Sequence, residues 1–411
     1  MQKVKEMVNL LLKGLILFAI LTYMGMSGYN NDWTTYGVNL LARVGEFSNY
    51  FVAQSAVNHI TPQFFADYMI IGLMKIIPSY QLEIFILFLI TCMILVYGII
   101  ALSRKISYSN YFSCAAVLVI YFVKNNFGYQ VSGNVLWGNT LIHAYLSTAL
   151  CIWALYFVFG RKKCFSLAYL MCIISALIQI QIGFYFGIII FAYQIIYSFI
   201  KKQSFNFNSM LIWILPMLGL FYLFSSTSNK MLTNQEFVEI YGRLRHPHHM
   251  IPSSWSFSGY VSFSLFVIAI LILSYKKLYK SKEYTEIHIW LITITTITIV
   301  ALFANYFFTD IYPWALIVKI QPARMVSVLL IALSITLAIS VGKFLDDNDY
   351  IPIIGIVSLL FANTLFRLVY ISIFLIISVL IYLLLLLTSV HQLLPKLAET
   401  CSPILPLRFQ G

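Results

Sequence analysis

Apolar runs of about 20 residues recur along the whole chain, each bounded by short polar stretches. A helix of that length crosses a ~30 Å hydrocarbon core. The runs fall at 8–27, 82–103, 107–123, 140–159, a hairpin pair within 164–200, 208–225, 258–275, 287–307, 324–342, 351–366 and 368–388. They predict an all-α, polytopic helical membrane bundle of about twelve spans. Residues 1–390 are expected to form one membrane domain, with 391–411 as a short cytoplasmic tail.

Three polar intervals break the rhythm: about 28–81, 226–256 and 308–323. The first contains helical spacing at Leu40, Leu41, Val44 and Phe47, which predicts short helices lying on the membrane surface. The segment 63–77 carries Asp67 and Lys75, so it is placed flat at the interface, with Asp67 capping or solvating that helix and Pro78 ending it. In the second interval His246, Pro247, His248 and His249 follow one another. Proline lacks a backbone donor and biases the residue before it away from helix, which predicts that the imidazoles sit on an extended turn.

Composition strengthens the membrane reading. The chain is 61% hydrophobic and 10% charged, with mean hydropathy +0.88, too few charges to cover a soluble domain. No alternating short strands of porin type are present. The net charge of +12 comes from lysines and arginines at the ends of apolar runs, not from a basic soluble module, so no nucleic-acid partner is implied. Lys3, Lys5, Lys13, Arg104, Lys105, Arg161–Lys163, Lys201, Lys202, Lys276, Lys277, Lys280 and Lys343 fall on one side of the alternating topology. The positive-inside rule makes that side cytoplasmic, with the N-terminus, and sets the three polar intervals on the periplasmic face of a bacterial inner membrane. No small-residue cleavage site follows the first run, which is read as a retained span. The six cysteines show neither CxxC nor metal spacing and are read as small core hydrophobes.

Candidate chemistry lies in the outer intervals. Arg243, Arg245, His246, His248 and His249 form a cationic and imidazole cluster. Guanidinium forks match phosphate oxygens, so the cluster is a candidate phosphate-binding site. A solvated loop with chance histidines and a zinc site are the competing readings, although the spacing matches no zinc signature. Arg324, at the mouth of the run 324–342, is the best single candidate for gripping a lipid phosphate; snorkelling is the bland alternative. Asp32 and Glu46 are the candidate catalytic acids, because a glycosyl transfer would need a carboxylate to deprotonate the acceptor hydroxyl or to support an oxocarbenium-like transition state; an interfacial acid without a role is the bland alternative. Asn134, Trp137 and Trp314 are weaker candidates for sugar contacts, against the readings of an ordinary turn for the first two and of an interfacial belt residue, the preferred one, for Trp314. His143 is read as a packed or hydrogen-bonded histidine. No P-loop, Rossmann fingerprint, HExxH or GxSxG occurs, and no cofactor is called for; a divalent metal stays open. Few ionisable groups fall within the apolar runs, which disfavours a proton-coupled carrier.

The long outer loop after span 1 with Asp32, the later outer arginine Arg324 and the Ile/Phe/Tyr/Asn-rich spans together resemble GT-C type membrane glycosyltransferases. The likeness extends to bacterial O-antigen polymerases and O-antigen glucosyltransferases, and covers the architecture of the whole chain. The paired acids that some members carry directly after span 1 are missing here. The resemblance implies a polyprenyl-phosphate-linked sugar or oligosaccharide as substrate, with membrane lipid as surroundings. It also implies that Asp32 or Glu46 is the catalytic acid, and that Arg324, with Arg245, holds the lipid phosphate. The reading from another class is a lipid-linked oligosaccharide transporter without bond chemistry.

Overall fold

The computed structural model describes residues 40, 43, 63–77, 79–106, 131–132, 143–159, 163–226, 232–275, 278 and 285–347. Every regular element among them is helical. The chain divides into two units, Met1–Lys343 and Phe344–Gly411. Of the second, only the end of one helix is described. The predicted spans at 8–27, 107–123, 351–366 and 368–388 lie outside the described residues, as do Asp32, Glu46, Asn134 and Trp137.

The helices are α1 (Phe64–Met74), α2 (Tyr80–Ile106), α3 (His143–Val158), α4 (Phe165–Ile178), α5 (Ile180–Lys201) and α6 (Phe207–Ser226). After α6 come the short α7 (Asn234–Phe237), a π-helical stretch Val238–Arg245, α8 (Pro247–Met250) and a 3₁₀ turn Pro252–Ser254. Next are α9 (Phe257–Ser274), α10 (Thr285–Tyr306) with a π-helical extension Phe307–Ile311, α11 (Ala315–Ile320), a 3₁₀ turn Pro322–Arg324 and α12 (Met325–Asp346).

Five helical stretches are long and apolar enough to cross a membrane: Leu82–Ile106, Ile180–Lys201, Phe257–Ser274, Thr285–Ile311 and Ala315–Leu345. Four shorter apolar helices accompany them: Phe65–Met74, His143–Val158, Phe165–Ile178 and Phe207–Tyr222. The 14 residues of α4 reach only about 21 Å, short of a full crossing without flanking turns.

The predicted hairpin within 164–200 is present. Helix α4 ends and α5 begins around one extended residue, Gln179 (φ −147°, ψ 101°). Gly183 permits the fold-back: a Cβ there would lie 2.3 Å from the Ala176 nitrogen and 2.4 Å from the Cys172 carbonyl oxygen. Gly187 similarly seats the Trp213 indole of α6. Small and polar side chains join the neighbouring helices, as packing between apolar helices favours. Ser147 of α3 and Ser175 of α4 have their hydroxyls 2.5 Å apart, with the Cys151 sulfur 3.2 Å from Ser175. Tyr169 donates to Gln194 (2.8 Å), whose amide reaches Ser209 of α6 (3.2 Å). From Met325 to Ser340, α12 is buried on every face.

The interval between α6 and α9 folds as a cap. Its entry is a capping box: the Glu236 N–H donates to the Thr233 hydroxyl (3.2 Å), and the Thr233 N–H donates to the Glu236 carboxylate (2.8 Å). Phe237, Val238, Met250 and Ile251 then pack with Val318 of α11. The expected extended turn for the histidines is corrected here. Only His246 leaves the helical region (φ −136°, ψ 48°), whereas Pro247 opens α8 at its first position. There a missing N–H costs nothing and proline's fixed φ suits the helix, so proline starts a turn of helix instead of preventing one.

Candidate functional site

Segments predicted to share one side of the alternating topology meet at one end of the helices. Tyr185, near the start of α5, donates its hydroxyl to the Ile320 carbonyl just before the 3₁₀ turn. Arg243 of the cap donates to the Thr309 carbonyl (3.3 Å). Asn305 of α10 donates to the Met250 carbonyl (2.8 Å). At the other end, Lys163 bonds Glu286 (2.5 Å) and stands over the Tyr197 ring (4.6 Å), while Lys105 donates to the Tyr156 carbonyl (2.6 Å). Burial pulls the Lys163 ammonium below the usual lysine range, opposed by its bond to Glu286.

The three cap imidazoles form a compact group. Their ring centroids lie 4.1 Å apart for His248 and His249, 6.1 Å for His246 and His249, and 6.3 Å for His246 and His248. Helix α8 packs against the turn Pro322–Arg324, which brings Arg324 to the same group. Burial, then the Arg324 charge, and then the two other imidazoles hold His249 down to about pKa 3; its bond to the Ser132 carbonyl opposes them. His249 Nδ1 stands 2.9 Å from that carbonyl oxygen. A carbonyl only accepts, so Nδ1 carries the proton and Nε2 keeps its lone pair.

Arg324 is oriented from the protein side. Its Nε donates to the Gln321 side-chain oxygen (2.5 Å). It also lies within electrostatic reach of Tyr185. Gln321 and Ser132 both adopt left-handed backbone conformations, φ 52° and 91°, which cost a non-glycine residue free energy and concentrate at functional sites. One terminates α11 and turns the chain into the Arg324 turn. The other supplies the carbonyl that fixes His249. Gln321 stands beside Pro322 and Arg324 in a polar stretch that draws attention in the sequence, whereas Ser132 and Tyr185 carried no signal of their own, because serine and tyrosine are ordinary members of this chain's polar and apolar stretches.

The other described candidates, Arg243, Arg245 and Trp314, have contacts of their own. Arg243 has protein partners: Glu239 at 3.3 Å and Asp310 at 3.8 Å, besides Thr309. Asp310 also accepts from the Ser253 hydroxyl and, at 3.4 Å, from its backbone N–H. Arg243 therefore fastens the cap to the end of α10. Arg245 stands over the Tyr241 ring at 5.7 Å. Trp314 donates its backbone N–H to Phe308 (2.9 Å) and meets that ring edge-on at 5.3 Å, leaving its indole 38% exposed. Among the described residues no group of three His, Cys, Asp or Glu side chains is placed to hold a metal ion. A groove of about 430 Å³ lined by Phe191, Ile195, Phe199, Phe205, Phe207 and Met210 opens towards the far end of α5, away from the histidines.

A second polar group was not anticipated. The Asp67 carboxylate lies 3.6 Å from Arg43 Nε and 3.7 Å from His143 Nε2, each side chain at most 3% exposed. This corrects the expectation that Asp67 is solvated. The carboxylate sits on the same face of α1 as Ala66 and Ile70, which are buried, and the guanidinium compensates its charge there. Glu83 of α2 is also fully buried, and its carboxylate oxygens have no hydrogen-bond partner among the described residues.

Comparison with protein-family models, with curated proteins and with solved structures finds no match for this chain.

Proposed function

We propose that the chain is a polytopic glycosyltransferase of a bacterial inner membrane. It would comprise about twelve spans and take sugar from a polyprenyl-phosphate carrier on the periplasmic face, in the synthesis or decoration of an O-antigen or similar surface polysaccharide. The observation that carries this reading is the assembly of Arg324 with His246, His248 and His249 at one end of long apolar helices. If those helices cross a bilayer, their ends would lie near the headgroup phosphates, and a guanidinium among imidazoles is a fitting receptor for one. The leaving group is the lipid phosphate, so stabilising its departing charge is the main catalytic task, and no nucleotide is required. Asp32 or Glu46 would deprotonate the acceptor hydroxyl. Trp314, Asn134 and Trp137 would contact sugar rings and hydroxyls.

The test is reconstitution into liposomes with a polyprenyl-pyrophosphate-linked oligosaccharide. Wild-type protein should release polyprenyl phosphate or pyrophosphate and yield an elongated or modified glycan. Arg324→Ala should yield far less of both. Movement of intact substrate across the bilayer, with no product from any variant, would instead establish a carrier. One observation favours that second reading: Arg43, Asp67, His143 and Glu83 place ionisable groups inside the helical packing, where carriers keep them.

A further inference from the structure

His249 is set up to change charge when its site fills. The proton on Nδ1 is committed to the Ser132 carbonyl at 2.9 Å, so the vacant position on the ring is Nε2. Among the described residues, Nε2 makes no hydrogen bond. The groups acting on this imidazole come from both packed sides: His246 and His248 from its own turn, and Arg324 from the turn Pro322–Arg324. The π-helical stretch packed against α8 also carries Glu239, Tyr241, Arg243 and Arg245. Of these, Arg243 is turned to Glu239 and Asp310, and Arg245 to the Tyr241 ring. No carboxylate from that stretch figures among the groups that bear on His249. The ring is thus surrounded by a fixed positive charge and two further imidazoles in a partly buried place, an arrangement that repels an added proton and attracts an anion.

We infer that the histidine–arginine cluster binds a doubly charged phosphate group together with one proton, which His249 takes up at Nε2. The inference rests on the phosphate-site reading above and goes further by assigning the ligand's charge and its coupling to pH. A pyrophosphate diester, the headgroup of a lipid-linked sugar, carries two negative charges and no proton that titrates near neutrality. The proton must therefore come from solvent: the anion, neutral His249 and one proton give the anion bound to an imidazolium whose Nε2–H donates to a phosphate oxygen. No bond other than N–H forms.

The free ring titrates at about 3, and two ligand charges move it back towards or above the ordinary histidine value. A group whose pKa rises on binding makes binding tighter as pH falls. Affinity should therefore increase as pH drops below the pKa of the complex, by up to about tenfold per unit, and level off only near the free value.

The test uses full-length protein in detergent micelles and dimethyl pyrophosphate, a dianionic diester without lipid or sugar. Calorimetric titration near pH 6 in two buffers of different ionisation enthalpy gives the number of protons taken up. Close to one is expected. His249→Gln can still donate an amide hydrogen to the Ser132 carbonyl but loses the donor to phosphate, so it should bind more weakly than wild type at pH 6, with no proton uptake and with affinity independent of pH. Wild-type binding without proton uptake overturns the inference while sparing the phosphate site, and so does uptake that persists in His249→Gln. No binding to the wild type at any pH, with a normal melting profile, removes the phosphate site and the inference with it.

Discussion

Arg43 Nε and the Asp67 carboxylate lie 3.6 Å apart, with both side chains almost wholly shielded from solvent. Removing one partner takes a compensating charge away from the other in a low-dielectric interior, a change that costs about 3–5 kcal/mol in buried pairs. Asp67→Ala should therefore melt well below wild type in detergent or fail to accumulate. Replacing both residues with apolar ones of similar volume should recover most of the loss. A wild-type melting curve for Asp67→Ala would show that the pair does not support the fold.

Arg324→Ala should lower sugar transfer by about 10²–10³, the usual effect of losing one preorganised charge at a departing anion. Arg324→Lys should recover little. An ammonium lacks the planar guanidinium fork whose Nε donates to Gln321 and whose geometry matches phosphate oxygens. Rates in proteoliposomes at saturating donor measure both effects.

Asp310 joins Arg243 to Ser253, and so ties the cap to the end of α10. In Asp310→Ala the backbone amides of 238–255 should exchange faster, with protection lower by about 1–3 kcal/mol. Exchange in α12 should stay unchanged. Equal loosening of both segments would mean that Asp310 supports the whole structure and not the cap alone.

Gly183 touches the backbone of α4, so the cost of a side chain there cannot be relieved by rotating a neighbour. Gly183→Ala should destabilise by about 1–3 kcal/mol, as overpacking commonly does. At Gly72 nothing stands within 4 Å of the Cβ position, so Gly72→Ala should be neutral or slightly stabilising. The difference between the two melting temperatures is the readout.

His249 makes the empty protein acid-sensitive. Its folded pKa, about 3, lies below the ordinary 6.5, so between those values the unfolded chain holds a proton that the folded chain refuses. Stability should fall as pH drops through about 6.5, by up to ~1.4 kcal/mol per unit from this group, and the fall should cease near 3. His249→Gln should show a shallower decline between about pH 6 and 4 than wild type does. Parallel curves would place the acid sensitivity elsewhere.

Much of the fold could be read along the chain, for a simple reason. A helix in an apolar setting satisfies its own backbone, so its presence depends on a local run of side chains. The runs at 82–103, 258–275, 287–307 and 324–342 all lie on helices of the structure. Helix ends were less legible. They depend on single residues, such as Gln179 between α4 and α5, and on Pro247, which begins a helix where it was expected to prevent one.

The site was legible in its ingredients and not in their arrangement. His246, His248, His249 and Arg324 drew attention because ionisable groups are rare in so apolar a chain. By itself the sequence determined the helical class, the alternation of basic and polar intervals, and the short roll of residues able to meet an anion. Only the tertiary structure decided that Arg324 joins the histidines while Arg243 turns to Asp310, that Ser132 fixes the His249 tautomer, and that Asp67 is buried against Arg43. The physical reason is one of range. Hydrophobic periodicity is set by neighbours within a few residues, but the partner of a charge is chosen by helix packing that brings together residues tens of positions apart.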